Sequence, residues 1–354
     1  MDLDRLAVVR RRMHEQGLAG EGFSTPAEAV AHLGAVQAQE FAEAKRSLAE
    51  RVRGCTDAEV EDAFARGEIL RTHVLRPTWH FVGARDIRWL LALTAPRVHQ
   101  ANRYVYGRVG MDEAVIARSQ ETLGAVLADG EPRTRRELGD ALAAAGVEEP
   151  RGVRLAHLVM YAELEGLVCS GPRRGKQHTY SLLSQRAPAA RELEADEALA
   201  ELTRRYFTSH GPATVRDFSW WSGLTVTQAR RGLELVGDDL ARAQDGDGTP
   251  WYASLSGPEV RTAGCHLVPM YDELGVSYKD LRMVPREPPA QEGMLERPIL
   301  IDGEWVGSWR RTVLRGTTTL QATLFAELTP PERSQLAAAV ERLGASLELV
   351  SPGG

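Results

Sequence analysis

Three cysteines in 354 residues, Cys55, Cys169 and Cys265, are few, far apart and odd in number. Their spacing excludes a disulfide framework and a paired zinc site, and reduced structural thiols are the expected state. A run of about eighteen apolar residues is also missing, so nothing is predicted to span a bilayer. The first residues, Met1-Asp2-Leu3-Asp4-Arg5, have neither the basic start nor the apolar stretch of a secretory signal, and the expected compartment is the cytoplasm. Positive charge is not in excess. With a net charge of −6 and a pI near 5.9, the chain is not one that coats nucleic acid by bulk electrostatics, because phosphate binding draws on clustered Lys and Arg. Any nucleic-acid face must be local.

What is present is the balance of an ordinary globular protein, 43% hydrophobic and 26% charged, over a length that exceeds what one core usually organises. Two or more domains are expected. Residues 1 to 20 carry Leu3, Leu6, Val9, Met13 and Leu18 at helical spacing, with Gly17 and Gly20 as stops. Thr25, Pro26 and Glu28 form the capping signal of a second helix. A third runs through Lys45, Arg46, Leu48 and Val52, and a fourth opens at Thr56 with Glu59 three residues on. Two β-rich runs, 69–76 and 79–82, flank Pro77-Thr78 as the turn of a hairpin, and an apolar helix around Trp89 to Leu93 closes the unit over residues 1–109. Helices followed by a hairpin are the order of a winged helix.

The same order recurs over 110–190 and 191–256. In the first of these, helices at Ala114 to Leu127, from Thr134, and at Val153 to Glu165 precede a hairpin whose tip holds Arg173, Arg174 and Lys176 among glycines. Such a tip suits phosphate contact or is an exposed solvated turn. In the second, Ala198 to Phe207, Thr214 to Trp221 and Leu224 to Leu235 precede a wing strand at Trp251 to Leu255. Residues 257–354 change to short strands, at Cys265 to Val268, Pro298 to Ile301, Trp305 to Trp309 and Thr312 to Leu314, before a closing helix from Pro330 to Leu343. A small barrel or sheet with one helix fits them. The class is α+β.

Several residues invite a chemical reading. His73 and His80 do not match familiar ligand spacings, and structural histidines, buried or hydrogen-bonded, are the preferred reading over metal or acid-base roles. Trp220 and Trp221 read as core packing, with base stacking as the alternative, since adjacent aromatics on a helix point different ways. Asp272 and Glu273 suggest a structural hydrogen-bonding role.

The segment His32 to Lys45 contains Gln37 and Gln39, two apart, and that spacing puts both side chains on one face only if the backbone is extended there. The segment resembles the glutamine-apolar-glutamine motif of the AlkZ-like winged-helix DNA glycosylases, the bacterial family typified by an azinomycin-resistance enzyme. The stretches Leu75-Arg76-Pro77-Thr78-Trp79-His80-Phe81-Val82, His210-Gly211-Pro212-Ala213-Thr214-Val215, Trp220-Trp221-Ser222-Gly223-Leu224 and Pro269-Met270-Tyr271-Asp272-Glu273-Leu274 resemble that family in the same order.

The resemblance implies three tandem winged-helix units followed by a small carboxy-terminal β-barrel-like domain, and hydrolysis of the N-glycosidic bond of N7-alkylated purines. It gives Gln37 and Gln39 shared roles in placing a water and supporting positive charge on the sugar, without deciding which does which. A neutral glutamine orients rather than deprotonates. The resemblance also sets the first hairpin near the active site, which makes Arg71, Arg76 and His80 candidates for DNA contact beside Arg173, Arg174 and Lys176. Some relatives carry aspartate where this chain has Gln39, which resembles the antibiotic-resistance branch and points to bulky adducts or interstrand crosslinks. The expected partner is double-stranded DNA with alkylated bases, bound by a monomer without cofactor, metal or membrane. A winged-helix transcriptional regulator without catalysis is the competing reading; the mixed charge of the helices after Gly152 and Ala213 disfavours it.

Overall fold

Asp4 accepts hydrogen bonds from the main-chain N–H groups of Leu6 and Ala7 and so opens helix α1 (Arg5–Glu15). The computed structural model describes residues 4–256, 259–280, 283–287, 297–314 and 317–350. Thr25 accepts from the Glu28 N–H and Pro26 takes the first helical position, so α2 (Pro26–Leu33) starts where the capping signal puts it. Gly34, at φ +81°, ends it. The short strand β1 (Val36–Gln37) follows, then α3 (Phe41–Ala49) and α4 (Asp57–Arg66), the latter opened by the reciprocal Thr56 and Glu59 capping box.

Strands β2 (Ile69–Val74) and β3 (Arg76–Gly83) form the hairpin, and β1 pairs with the other side of β3 to give the order β1-β3-β2. The reversal is not at Pro77-Thr78 but at Leu75, whose φ is +63°. Its side chain is buried and its N–H donates to Thr94 Oγ1, so tertiary contacts hold a turn that leucine alone disfavours. Pro77 lies inside β3 near a bulge between His73 and Val74, where the ladder needs no donor from it. Helix α5 (Ile87–Arg108) completes the segment.

Helix α6 (Glu113–Val126), strand β4 (Arg133–Thr134), α7 (Arg135–Ala144), α8 (Gly152–Leu164) and the hairpin β5 (Val168–Arg174) and β6 (Gln177–Leu182) come next, and β4 pairs with β6. The short α9 (Leu183–Arg186) leads to α10 (Ala195–His210), α11 (Val215–Ser222), α12 (Val226–Val236) and the paired strands β7 (Leu240–Gln244) and β8 (Pro250–Ser254). Gly223 ends α11 at φ +70°, and a Cβ there would lie 2.2 Å from the Leu75 carbonyl oxygen. Gly223→Ala is therefore expected to destabilise by more than about 1 kcal/mol, read by denaturant unfolding; an unchanged midpoint would contradict this packing of α11 on the first hairpin.

The remaining elements are β9 (Cys265–Leu267), α13 (Glu273–Val276), β10 (Val284–Pro285), β11 (Pro298–Ile301), β12 (Glu304–Leu314), β13 (Thr317–Leu324), α14 (Pro330–Arg342) and β14 (Ser346–Val350). Their sheet runs β14-β13-β12-β11-β9, with β10 beside β12. The expected barrel is corrected to an open sheet, since β9 and β14 lie at opposite ends and do not pair among the described residues. Trp305 to Trp309 and Thr312 to Leu314, read as two strands, are one, because β13 pairs with β12 from Gly307 through Leu314.

One cluster of buried side chains joins Leu70, Val82 and Trp89 to Tyr206, Trp221 and Tyr278, so the first and third helical segments and the carboxy-terminal part share a core. Helix α1 does the same at the other end of the chain, with Val9 and Met13 packed on Leu274, Leu300 and Trp305. Among the described residues no helix is long and apolar enough to cross a membrane.

Candidate active site

Val36 and Ala38 are buried, Gln37 is half-buried and Gln39 is exposed. This alternation follows from extended backbone: Val36 sits opposite Phe81, Gln37 opposite His80, and the Ala38 N–H donates to the Trp79 carbonyl at 2.7 Å. Gln37 and Gln39 therefore share a face, which a continued α2 would have denied them.

The partners of Gln37 come from far along the chain. Its main-chain N–H donates to Glu273 Oε1 at 2.6 Å, and Arg76 Nη2 donates to its side-chain Oε1 at 3.2 Å. Glu273 is fully buried at the start of α13 and also accepts from Trp221 Nε1 at 2.9 Å and from Ser277 Oγ. His210 Nε2 stands 3.5 Å from Glu273 Oε2, an electrostatic contact rather than a strong hydrogen bond. Burial works against the Glu273 charge, but His210, Ser277 and the Gln37 N–H outweigh it and hold the carboxyl at a pKa of about 2. Next to it, Asp272 forms a two-pronged pair with the buried Arg51, both contacts at 2.7 Å, and accepts from Ser47 Oγ at 2.6 Å. The structural hydrogen-bonding role expected of Asp272 and Glu273 is what the geometry displays.

Arg71 is 4% exposed. Its Nε donates to the Ala38 carbonyl at 2.9 Å, Nη2 reaches the Gln39 carbonyl at 3.5 Å, and the guanidinium lies 4.4 Å over the Trp79 ring. Burial lowers its pKa to about 10. Glu163, on the buried side of α8, accepts from Trp79 Nε1 at 3.3 Å and contacts His73 Nδ1. Thus Glu273 of α13 holds β1 directly, Trp221 of α11 holds Glu273, and Glu163 of α8 holds the neighbouring strands through His73 and Trp79. Neither Glu163 nor Trp221 was singled out as a support of the motif; the available signal for Glu163 was a carboxylate on the apolar face of a helix that otherwise reads Leu155, Val159 and Ala162.

His80 is fully buried, with Nδ1 3.0 Å from the Thr78 carbonyl, an acceptor that requires the proton on Nδ1. Burial, then the Arg76 charge, lowers its pKa to about 3. An unfolded histidine takes up a proton near pH 6.5, so between about 6.5 and 3 the unfolded chain binds more protons and stability falls as pH falls. His80→Asn, whose amide N–H keeps the bond to Thr78, is expected to flatten the dependence of unfolding free energy on pH in that window. Equal slopes in both proteins would contradict the assignment.

On the second hairpin, Arg173 pairs with Glu61 at 3.2 Å and lies 5.1 Å from the Phe41 ring, while Arg174 pairs with Glu137 at 2.9 Å. Lys176 is exposed and makes no ion pair among the described residues. The structure thus gathers Gln37, Gln39, Arg71, Arg76 and His80 around β1, brings Arg173 to Phe41 on the helix that follows the motif, and leaves Arg174 and Lys176 at the hairpin's outer end. Among the described residues no cluster of three or more His, Cys, Asp or Glu could hold a metal ion. What remains is a pair of neutral amides, one half-buried and one exposed, over buried ionic supports, with the exposed Glu40 next in the chain; the amides can orient a small polar molecule.

Residues 30–346 match the family described as DNA glycosylase AlkZ-like. The chain belongs to the AlkZ-like DNA glycosylase family. A curated relative, the interstrand DNA cross-link repair glycosylase of Streptomyces sahachiroi, is 25% identical over 318 residues, which span 84% of this chain and 85% of that protein. The solved structure of the Streptomyces sahachiroi DNA glycosylase AlkZ superposes with a TM-score of 0.78 at 21% identity, covering 99% of this chain and 100% of that one. An AlkZ-like DNA glycosylase is a hydrolase of N-glycosyl bonds, and membership in this family sets the regulator aside. The mixed α and β architecture is that of AlkZ, open sheet included.

Proposed function

We propose that this glycosylase hydrolyses the N-glycosidic bond of N7-alkylated purines in duplex DNA, with bulky antibiotic adducts or interstrand crosslinks as substrates, in DNA repair and self-resistance. The observation that carries the reading is the pair of glutamines flanking buried Ala38 at the end of β1, Gln37 half-buried in the strand and Gln39 exposed just beyond it. Alkylation at N7 makes the purine cationic and a good leaving group, so little acid catalysis is needed and the remaining task is to place water against the sugar cation. Positioning of this kind is worth on the order of 7 kcal/mol or more in favourable cases. Gln37 and Gln39 are the catalytic residues in this reading. A crosslink joins both strands and its base cannot be extruded in the usual way, which fits a motif at the surface rather than in a deep pocket.

We read Arg71, Arg76 and His80 as holding the motif, since two of them are buried and the third is bonded to Gln37. DNA contact is assigned to the hairpin residues Arg173, Arg174 and Lys176. In this reading the helical segments are three winged-helix units, 1–109, 110–190 and 191–256, followed by 257–354, in a monomer that works in the cytoplasm. Incubation with duplex DNA carrying N7-alkylguanine, scored by alkali-sensitive abasic sites, tests the activity: strand breaks are expected, and their absence with both simple and bulky adducts would overturn it. Every phosphate neutralised by a basic side chain adds about 0.9 to the slope of log affinity against log salt. Lys176→Ala is therefore expected to reduce that slope by about one, and Arg173→Ala by less, because Arg173 is already paired with Glu61; an unchanged slope in Lys176→Ala would remove the hairpin tip from the DNA face.

A further inference from the structure

Gln37 and Gln39 are the same side chain in unequal surroundings. A guanidinium carries donors only, so the Gln37 atom 3.2 Å from Arg76 Nη2 must be the amide oxygen, and the NH2 end is turned the other way. That NH2 has no partner among the described residues. The strand beneath it is fixed by pairing with β3 and by the bond from the Gln37 N–H to Glu273. Gln39 differs: its carbonyl is held by Arg71, but its exposed side chain has no partner among the described residues and both ends of its amide are free.

We propose that Gln37 is the donor and Gln39 the acceptor for one water molecule, and that Arg76 is the positioning residue that sets this order. The proposal rests on the glycosylase reading and deepens it. The water oxygen accepts from the Gln37 NH2, and one of its O–H groups donates to Gln39 Oε1, leaving a lone pair for the sugar. When the C1′–N9 bond breaks, its electron pair passes to the purine, cancels the positive charge of the alkylated ring, and the base departs neutral. The water oxygen forms the new C1′–O bond, and the proton it loses passes to a neighbouring water, since an amide carbonyl is too weak a base to keep it. Arg76 also polarises the Gln37 amide through its oxygen, which strengthens the N–H groups as donors.

The test compares wild type with Gln37→Glu, Gln39→Glu, Arg76→Leu and Arg76→Lys in single-turnover base release from N7-methylguanine duplex between about pH 5 and 8, with duplex affinity measured separately. Gln39→Glu keeps an acceptor and gains a base; it is expected to retain at least about a tenth of the wild-type rate and to acquire a rise with pH. Gln37→Glu would pair with Arg76 and offer no donor, and its rate is expected to fall about 100-fold at every pH. Arg76→Leu frees the Gln37 amide to turn and is expected to lower the rate about tenfold without changing duplex affinity, whereas Arg76→Lys, again a donor only, restores most of it. Equal losses in the two glutamate variants, or no difference between Arg76→Leu and Arg76→Lys, would overturn the proposal while an active wild type keeps the glycosylase reading. A wild type inactive on simple and bulky adducts alike overturns both.

Discussion

Replacing either Gln37 or Gln39 by Ala is expected to lower the rate of base release from N7-alkylguanine duplex by about two orders of magnitude. The size follows from what the pair supplies. In the proposed reading the substrate already carries its positive charge, so the protein would add orientation of water and neutral dipoles, and removing one of two orienting groups would let the water leave the attack line. The two variants should differ in stability. Gln39 is exposed and unpartnered, and Gln39→Ala is expected to shift unfolding by no more than about 0.5 kcal/mol. Gln37→Ala removes the acceptor of a half-buried arginine and is expected to cost about 1 to 3 kcal/mol. Single-turnover kinetics beside denaturant unfolding separate the two effects. A variant that folds and keeps its rate would remove that glutamine from the chemistry.

The largest expected loss of stability is at Asp272, not in the motif. Arg51 is fully buried and its charge is answered by both Asp272 oxygens, with Ser47 Oγ and Gln16 Oε1 completing the site. Asp272→Ala would leave that guanidinium in the interior without its counter-ion, and breaking such a pair by deleting one member costs about 3 to 5 kcal/mol. Asp272 also caps α13, accepting from the Leu274 N–H at 2.9 Å, so the loss reaches Glu273 and through it the Gln37 backbone. Replacing Arg51 and Asp272 together by apolar residues is expected to recover part of the stability, since no charge is then stranded. A double variant less stable than Asp272→Ala would show that the pair is net favourable here. Activity should follow the Gln37 backbone: Asp272→Ala is expected to lose base release in proportion to local disorder around α13, which hydrogen exchange at Gln37 would report.

The elements of the helical segments were legible because their signals are local. Thr25, Thr56 and Thr134 cap the helices they precede, Gly17 follows α1, and the alternating runs of β2 and β3 pair as a hairpin. Misreadings arose where a distant segment overrules local preference. Leu75 takes a turn conformation it would avoid alone, because Thr94 binds its N–H and Gly223 packs on its carbonyl. The carboxy-terminal strands form an open sheet because β14 and β9 pair inward, with β13 and β11, and not with each other among the described residues, a strand order that no run of strand residues announces.

By itself the sequence determined which residues are candidates for the chemistry. Two glutamines with one apolar residue between them, on the far side of a helix stop, are neutral amides that can orient a molecule, and their candidacy came from a motif with its companions in order. Tertiary structure decided how the two differ. Arg76 lies 39 positions and Glu273 236 positions from Gln37, and neither contact follows from spacing along the chain. Side-chain type and periodicity are properties of neighbours in sequence, whereas the direction in which an amide faces depends on a donor-only partner brought to it by packing.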